Sequence, residues 1–347
     1  MGSLGGVGAV LSGDVQICQV CLASQLDSRI LPSAVVGPTA SGKTGLAIEL
    51  AKQNQGEIVS FDSMQIYRDA PIATAVPTME ERQGISHHLM EFADCNQNFS
   101  VAKYMELAHK TIDEIAARGK LPILVGGTGL YYSSLIDNIQ FQSQTDEHFG
   151  VRKDLEERLK TQGIEVLYDE LKKLDPLACE KIHINNQVRV IRALEIYYTT
   201  GKTLSEQEAL SRSVPSPYFP CVIGLNYRSR DLLYERINLR VHKMLEAGLL
   251  DEVKALFQNH PNGTILQAIG VKEFAPYLIG ERSLEEVVAT IQQESRRYAK
   301  RQLTWFRRDE RVHWLYPDDY DDTQLLLHEA QSILEICKNH FIKEEGR

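Results

Sequence analysis

Up to about residue 140, short apolar runs alternate with amphipathic stretches, the pattern of strands and helices taken in turn. Ala34, Val35 and Val36 form one run, closed by a glycine-bearing loop and followed by an amphipathic stretch from Leu46 to Lys52. Glu57 to Phe61 (EIVSF) reads as a second buried strand, ended by Asp62 and Ser63. Leu121 to Val125 (LPILV) reads as a third, ended by Gly126, Gly127, Thr128 and Gly129. Between these two, Met105, Ala108, Ile112 and Ile115 recur at helical spacing and predict a helix from about Val101 to Arg118. Strand, helix, strand predicts an α/β fold with a doubly wound parallel sheet. Such sheets bind ligands beyond the carboxyl ends of their strands, where loop 37–44, Asp62 and Thr128 all fall.

From about Gln144 to Gln207 the periodicity becomes helical throughout, with helices predicted at Val151 to Thr161, Ile164 to Leu174 and Asn186 to Thr199. With no strand between them, this stretch (144–207) reads as a helical insertion domain, and 31–143 with 208–347 as the core that carries it. A strand returns at Cys221 to Leu225, after a break at Pro215, Pro217 and Pro220, and the remainder is expected to be helical up to Asn339. Residues 1–30, mostly glycine and small apolar residues with Arg29 as their only basic side chain, fit neither a secretory signal nor a transit peptide and are expected to be a poorly ordered extension.

Composition narrows the class. The chain has 347 residues, enough for two lobes, since domains commonly run ~100 to 200 residues. No apolar run approaches the ~20 residues of a bilayer span, so no membrane association is expected. Six thinly spread cysteines argue against a disulfide framework and for a reducing cytoplasm, and a monomer is expected. Cys18 and Cys21 form a lone C-x-x-C with no second pair to complete a zinc site. The net charge of −9 argues weakly against a nucleic-acid partner. That charge is segregated, however: Asp318, Asp319, Asp321 and Asp322 gather near the end, while Arg296, Arg297, Lys300, Arg301, Arg307 and Arg308 crowd one segment. Spacings of four put Arg296 with Lys300, and Arg297 with Arg301, on adjacent rows of one helix face, which is either a solvated surface or a seat for a polyanion.

The densest chemistry lies in Gly37, Pro38, Thr39, Ala40, Ser41, Gly42, Lys43 and Thr44, a complete G-x-x-x-x-G-K-[ST] phosphate loop between strand and helix. Its backbone N–H groups form an anion nest, Lys43 reaches the outer phosphate oxygens, and the Thr44 hydroxyl is placed to hold Mg2+. Asp62, at a strand end beside this loop, suits a general base, a magnesium ligand or a helix N-cap. Gly126, Gly127 and Gly129 allow close backbone approach, and Thr128 offers a hydroxyl. The adjacent His87 and His88 diverge in direction, which favours structural hydrogen bonds over a shared metal. Arg228, Arg230 or Arg236, after the last strand, could close over an anionic ligand or form surface ion pairs.

The successive blocks GPTASGKT, EIVSFDSMQIYR, GISHHL, FSVAKY, RGKLPILVGGTGLY, RVIRALEIYYTTGKTLS and YAKRQLTWFRR resemble, in order and spacing, the motifs of the bacterial tRNA dimethylallyltransferase family, from about Leu31 to Trp314. The resemblance implies a P-loop NTPase-like fold turned to prenyl transfer, moving a dimethylallyl group from its diphosphate to N6 of adenosine 37 in tRNAs that read codons beginning with U. It implies that loop 37–44 holds the diphosphate with Thr44 on magnesium, and that Asp62 takes a proton from N6. Ser63, Met64 and Gln65 would touch the flipped adenosine and its neighbours, Thr128 the tRNA or reacting centre, and Arg236 the diphosphate. Arg152, Arg189, Arg192, Arg297 and Arg301 would face RNA. The chain departs from the family pattern in two places. Ala73 and Val76 stand where a glycine and a lysine are usual, and Asn186 and Val188 where an acid and an arginine are usual. RNA contacts there are expected to differ, with activity retained. An ATP-dependent nucleotide kinase, an adenylate isopentenyltransferase making cytokinin and a non-catalytic RNA-binding protein are the competing readings.

Overall fold

The computed structural model describes residues 29–141 and 146–345, so residues 1–28 of the expected extension and the Cys18–Cys21 pair lie outside the described residues, while its last two, Arg29 and Ile30, are held by an ion pair with Glu344 and a bridge to Tyr218. Six parallel strands form one sheet: β1 (Ser33–Val36), β2 (Glu57–Ser60), β3 (His87–His88), β4 (Pro122–Val125), β5 (Cys221–Leu225) and β6 (Val312–Leu315), in the order β3-β2-β4-β1-β5-β6. The first three strands read from the sequence and Cys221–Leu225 are all present. Two are new. β3 is only two residues long, too short to carry a period, and β6 overturns the expectation of unbroken helix after Leu225. In β6, Val312 and Leu315 are buried around an exposed His313, so the strand has no clean alternation to read.

The helices on the two faces follow from the period-two alternation of the central strands. Ala34, Val36, Val59, Leu124 and Val222 point to one face, where α2 (Val101–Ala117) supplies Met105, Ala108, Ile112 and Ile115 and α3 (Gly129–Ile136) supplies Tyr131, Tyr132 and Leu135. Val35, Ile58, Ile123, Val125 and Ile223 point to the other. There α1 (Lys43–Asn54) contributes Leu46, Ala47, Leu50 and Ala51, and a carboxy-terminal helix over Thr323–Glu345 contributes Leu326, Leu327 and Ala330. Strands buried on both faces read as continuous apolar runs, which is why their sequence signal was strong.

Five consecutive helices follow α3: α4 (Asp146–Gln162), α5 (Ile164–Leu174), α6 (Pro176–Lys181), α7 (Gln187–Thr200) and α8 (Leu204–Arg212). They enclose a core of their own around Leu155, Leu167, Leu171, Val190 and Leu194. α6 and α8 were not read from the sequence, and the expected boundary after 207 falls inside α8. That helix opens with a reciprocal capping box between Thr203 and Glu206. Asn186 caps α7 by accepting the Arg189 N–H, a task an acid would serve equally. After β5 come α9 (Arg230–Glu246), α10 (Leu249–Asn259) and α11 (Leu284–Phe306). With Ile66, Tyr67 and Ala70 they form a further apolar cluster that includes Val241, Val253, Leu266 and Ile291. Among the described residues no helix is long and apolar enough to cross a membrane.

Candidate active site

The loop between β1 and α1 takes its shape from backbone that only small residues tolerate. Gly37 has φ 140°, and a Cβ there would lie 2.3 Å from the Leu225 carbonyl oxygen; Gly42, at φ 95°, caps α1 in the left-handed region. Lys43 folds back, its Nζ donating to the Pro38 carbonyl at 2.6 Å. Arg236 anchors the loop from α9, its Nε donating to the Ala40 carbonyl at 3.0 Å. Arg228 is held elsewhere, in a two-pronged ion pair with Asp319 and stacked on the Tyr316 ring at 3.6 Å.

Asp62 ends β2 as expected. Its Oδ1 accepts the Met64 N–H at 2.9 Å, while its Oδ2 has no hydrogen-bond partner among the described residues. Thr128 Oγ1 accepts the Ser63 N–H at 3.1 Å and donates to Ser63 Oγ at 3.3 Å, so the DSMQ and GGTG turns are tied side by side. Gln65 uses its amide inside the protein, accepting from Ser60 Oγ and donating to the Thr74 and Ala75 carbonyls, which leaves it to shape the wall. A cavity of about 360 Å³ joins Lys43, Thr44, Asp62, Ser63, Met64 and Gln65. A second, more open cleft, sharing Lys43, Thr44 and Arg240 with the first, is lined by Ala40 to Gly45 with Arg236.

Electrostatics give this cavity a sign. Burial, with the Arg240 charge next, lowers the Lys43 ammonium from 10.5 to about 7, against a smaller opposing pull from Asp62. Arg240 is likewise lowered by burial, with Asp62 acting in the opposite sense. Two basic groups face one carboxylate on this floor, a balance that favours an anionic ligand. Among the described residues, no group of three His, Cys, Asp or Glu ligands surrounds this floor. The donor set of one hydroxyl and one carboxylate suits Mg2+, which keeps most of its waters and takes the rest of its shell from phosphate oxygens.

Three cavity groups, Arg240, Tyr298 and Gln302, were not singled out from the sequence. Arg240 sits one helical turn beyond Arg236, and that i, i+4 spacing was the available signal. His87 donates from Nδ1 to the Ile85 carbonyl at 2.8 Å, and burial lowers its pKa, so its buried Nε2 lies against the cavity as an unpartnered acceptor. Its neighbour His88 pairs with Glu57 at 2.7 Å, so both histidines have structural bonds, as the sequence suggested. From α11, Gln302 accepts the Thr39 N–H at 2.9 Å and donates to the Gly127 carbonyl at 3.0 Å, and Tyr298 lines the same cavity. The glycines of GGTG make room for this helix: a Cβ on Gly127 would lie 2.0 Å from Gln302 Nε2, and one on Gly129 2.4 Å from the Trp305 ring.

The arginines expected at RNA differ in their freedom. Arg301 lines the cavity mouth with its guanidinium over Tyr298, and Arg297 pairs with Glu294 at 2.5 Å. Arg296 is not part of a free stripe, since it donates to Asn238 Oδ1 and lies over Tyr234 of α9. On the five-helix lobe, Arg152 and Arg192 converge on the buried carboxylate of Glu195, at 3.6 and 3.0 Å. Arg189 is exposed on α7, next to the exposed Val188.

The profile of the family described as IPP transferase matches residues 65–309. The chain is 49% identical over 295 residues to the tRNA dimethylallyltransferase of Acetivibrio thermocellus, an overlap covering 84% of this chain and 94% of that protein. It is 48% identical over 290 residues to the enzyme of the same name from Halalkalibacterium halodurans, covering 83% and 91%. Among solved structures, the full-length tRNA isopentenylpyrophosphate transferase from Bacillus halodurans superposes with a TM-score of 0.68 at 43% identity, covering 90% of this chain and 99% of that one. A eukaryotic dimethylallyltransferase, described as acting on tRNA, superposes with a TM-score of 0.73 at 30% identity, covering 88% and 80%.

Proposed function

Because this chain belongs to the IPP transferase family, we propose that it is a tRNA dimethylallyltransferase moving a dimethylallyl group from dimethylallyl diphosphate to N6 of adenosine 37 in tRNAs that read codons beginning with U. The observation that carries this reading is the shared cavity, which brings Lys43 and Thr44 of the phosphate loop, Arg240 and the Asp62 carboxylate, its Oδ2 without a hydrogen-bond partner among the described residues, around one space. In the reaction the N6–carbon bond forms as the allylic carbon–oxygen bond breaks, pyrophosphate leaves, and the N6 proton passes to Asp62. An exocyclic amine has its lone pair delocalised into the ring, so a positioned base helps it attack. Lys43, Arg240 and the loop N–H groups offset the charge that develops on the departing pyrophosphate. Thr44 would hold a magnesium ion brought with the diphosphate, which when bound adds to that stabilisation. Val241, Met244 and Ile291 give the cavity an apolar wall beside these groups, in keeping with a hydrocarbon substituent.

Adenosine stacked in an anticodon loop is out of reach until flipped out, and the turn Ser63–Gln65, which lines the cavity and is tied to Thr128, would receive the flipped base. Arg301, Arg297 and the five-helix lobe carrying Arg189, Arg192 and Arg152 would bind the stem-loop by shape and phosphate contacts. We infer that the chain acts as a monomer in the cytoplasm. A nucleotide kinase fits less well. Neither strand flanking β1 in the sheet ends in an acid, β4 running into Gly126–Gly127 and β5 into Asn226.

The test is incubation with dimethylallyl diphosphate and an anticodon stem-loop containing A37, following pyrophosphate release and the mass of the RNA. Asp62→Ala is expected to lower transfer at least ~100-fold while the stem-loop still binds. ADP formation from ATP with unchanged RNA would overturn the assignment. Equal activity on free AMP would favour the cytokinin reading.

A further inference from the structure

Away from the cavity, three segments distant in sequence bring a carboxylate, a thiol and an imidazole together. The ligand atoms of Asp69, Cys95 and His260 all lie within 4.8 Å of one another. Asp69 sits in the turn after Tyr67, held at a φ of 63° that few non-glycine residues adopt. Cys95 follows the strand-like contact of Ala93 with Tyr67, and His260 ends α10. His260 Nε2 is 3.5 Å from Asp69 Oδ2, and its other ring nitrogen is held by the Asn96 amide at 3.0 Å. Such a hold on the second nitrogen fixes the ring plane of metal-ligating histidines. The Cys95 thiol is buried and donates to the Arg68 carbonyl. Burial pushes it up to about 11, and the carboxylates of Asp69, Asp94 and Glu252 add to that rise. The same carboxylates that disfavour a thiolate would favour a cation, and the three ligand atoms lie close enough together to share one.

We propose that Asp69, Cys95 and His260 bind one borderline divalent cation, with Zn2+ the best match, leaving a fourth position open to water. One sulfur, one nitrogen and one oxygen donor suit a tetrahedral ion of this softness far better than Mg2+ or Ca2+. Binding breaks the Cys95 S–H bond, releases that proton to solvent and forms a sulfur–metal bond, with no change of oxidation state. His260 ligates through Nε2 as the Nδ1–H tautomer, its proton accepted by the Asn96 amide oxygen once that group is turned over. Nothing in the prenyl transfer reading uses this site. Its role is to tie turn 66–70, loop 93–96 and the segment from 260 together, where a Cβ on Gly263 would already lie 2.7 Å from the Cys95 carbonyl. The chain beyond it, Gln267 to Ile269, forms one wall of the reaction cavity.

The experiment titrates full-length protein with Co2+ alone, then displaces it with Zn2+, in a Cys18→Ser/Cys21→Ser background with Mg2+ in excess. One equivalent of cobalt is expected, with a near-ultraviolet band of thiolate-to-metal charge transfer. Cys95→Ser is expected to abolish the band. His260→Gln and Asp69→Asn are expected to weaken binding at least ~10-fold, and Zn2+ to raise Tm only where the three ligands are intact. Absence of saturable one-to-one binding, or a band that survives both Cys95→Ser and His260→Gln, would sink the proposal. Should Cys95→Ser fail to fold, unchanged cobalt affinity in His260→Gln is sufficient to overturn it.

Discussion

A lysine beside an arginine and short of water releases its proton near neutrality, and Lys43 is held in that state by its burial and by Arg240. A bound diphosphate reverses the balance, because its charge stabilises the ammonium and raises the pKa again. Pyrophosphate binding therefore takes up a proton at Lys43, and the contribution of this residue to affinity is full below pH ~7 and declines as pH rises from there towards the higher pKa of the bound state. Isothermal titration between pH 6 and 9 is expected to show wild type losing affinity by up to ~10-fold per pH unit more steeply than Lys43→Met, which corrects for the ionisation of pyrophosphate itself. Parallel curves for the two proteins would show that Lys43 is already charged before ligand arrives. The same scale explains one departure from the family pattern: Asn186 keeps the capping bond to α7, whereas Val188 leaves an exposed apolar side chain where a cation is usual.

Helix α11 does more than present a basic face. Tyr298, Arg301, Gln302 and Trp305 follow one another at helical spacing; the first three line the cavity, and Gln302 and Trp305 pack on the loops at the ends of β1 and β4. Gln302 bridges the phosphate loop to the GGTG turn through its two hydrogen bonds. A net hydrogen bond contributes about 1 kcal/mol, and a buried partner left unsatisfied costs about 1–3 kcal/mol. Gln302→Leu, which removes both bonds, is expected to lower Tm and to weaken pyrophosphate binding roughly 10-fold. Gln302→Glu keeps an acceptor for the Thr39 N–H but loses the donor to Gly127, and is expected to fall between the two. Unchanged pyrophosphate affinity in the leucine variant would mean that the loop holds its shape without the helix.

Across the whole molecule, one buried carboxylate joins three elements at the end of the sheet opposite the cavity. Glu57 of β2 meets His88 of β3, Arg118 after α2 and Lys120 before β4, at 2.7, 2.6 and 2.7 Å. These hydrogen bonds, from Lys120 first, outweigh burial and hold its carboxyl at about 2. With the folded pKa below the unfolded one, the stabilisation is present above pH ~4.5 and lost as pH falls towards 2. Denaturant titrations are expected to show Glu57→Gln less stable at pH 7 and flatter than wild type between pH 5 and 3; equal slopes would remove the carboxylate as the cause. The sequence by itself determined the central strands, the helices with strong period, the phosphate loop and the carboxylate ending β2, because apolar periodicity and backbone-limited turns are local properties of the chain. The two strands it did not reveal, β3 and β6, form only because a neighbour already offers an edge, so their residues carry no period of their own. Only tertiary structure decided that Arg240 shares the cavity floor with Lys43, that Arg228 is committed to Asp319 and that Arg296 is packed on α9. It also decided that Gln302 spans two loops and that Cys95, Asp69 and His260 converge. Each of those facts depends on which distant segments meet, and the direction of a side chain across such a meeting is set by packing that no local pattern encodes.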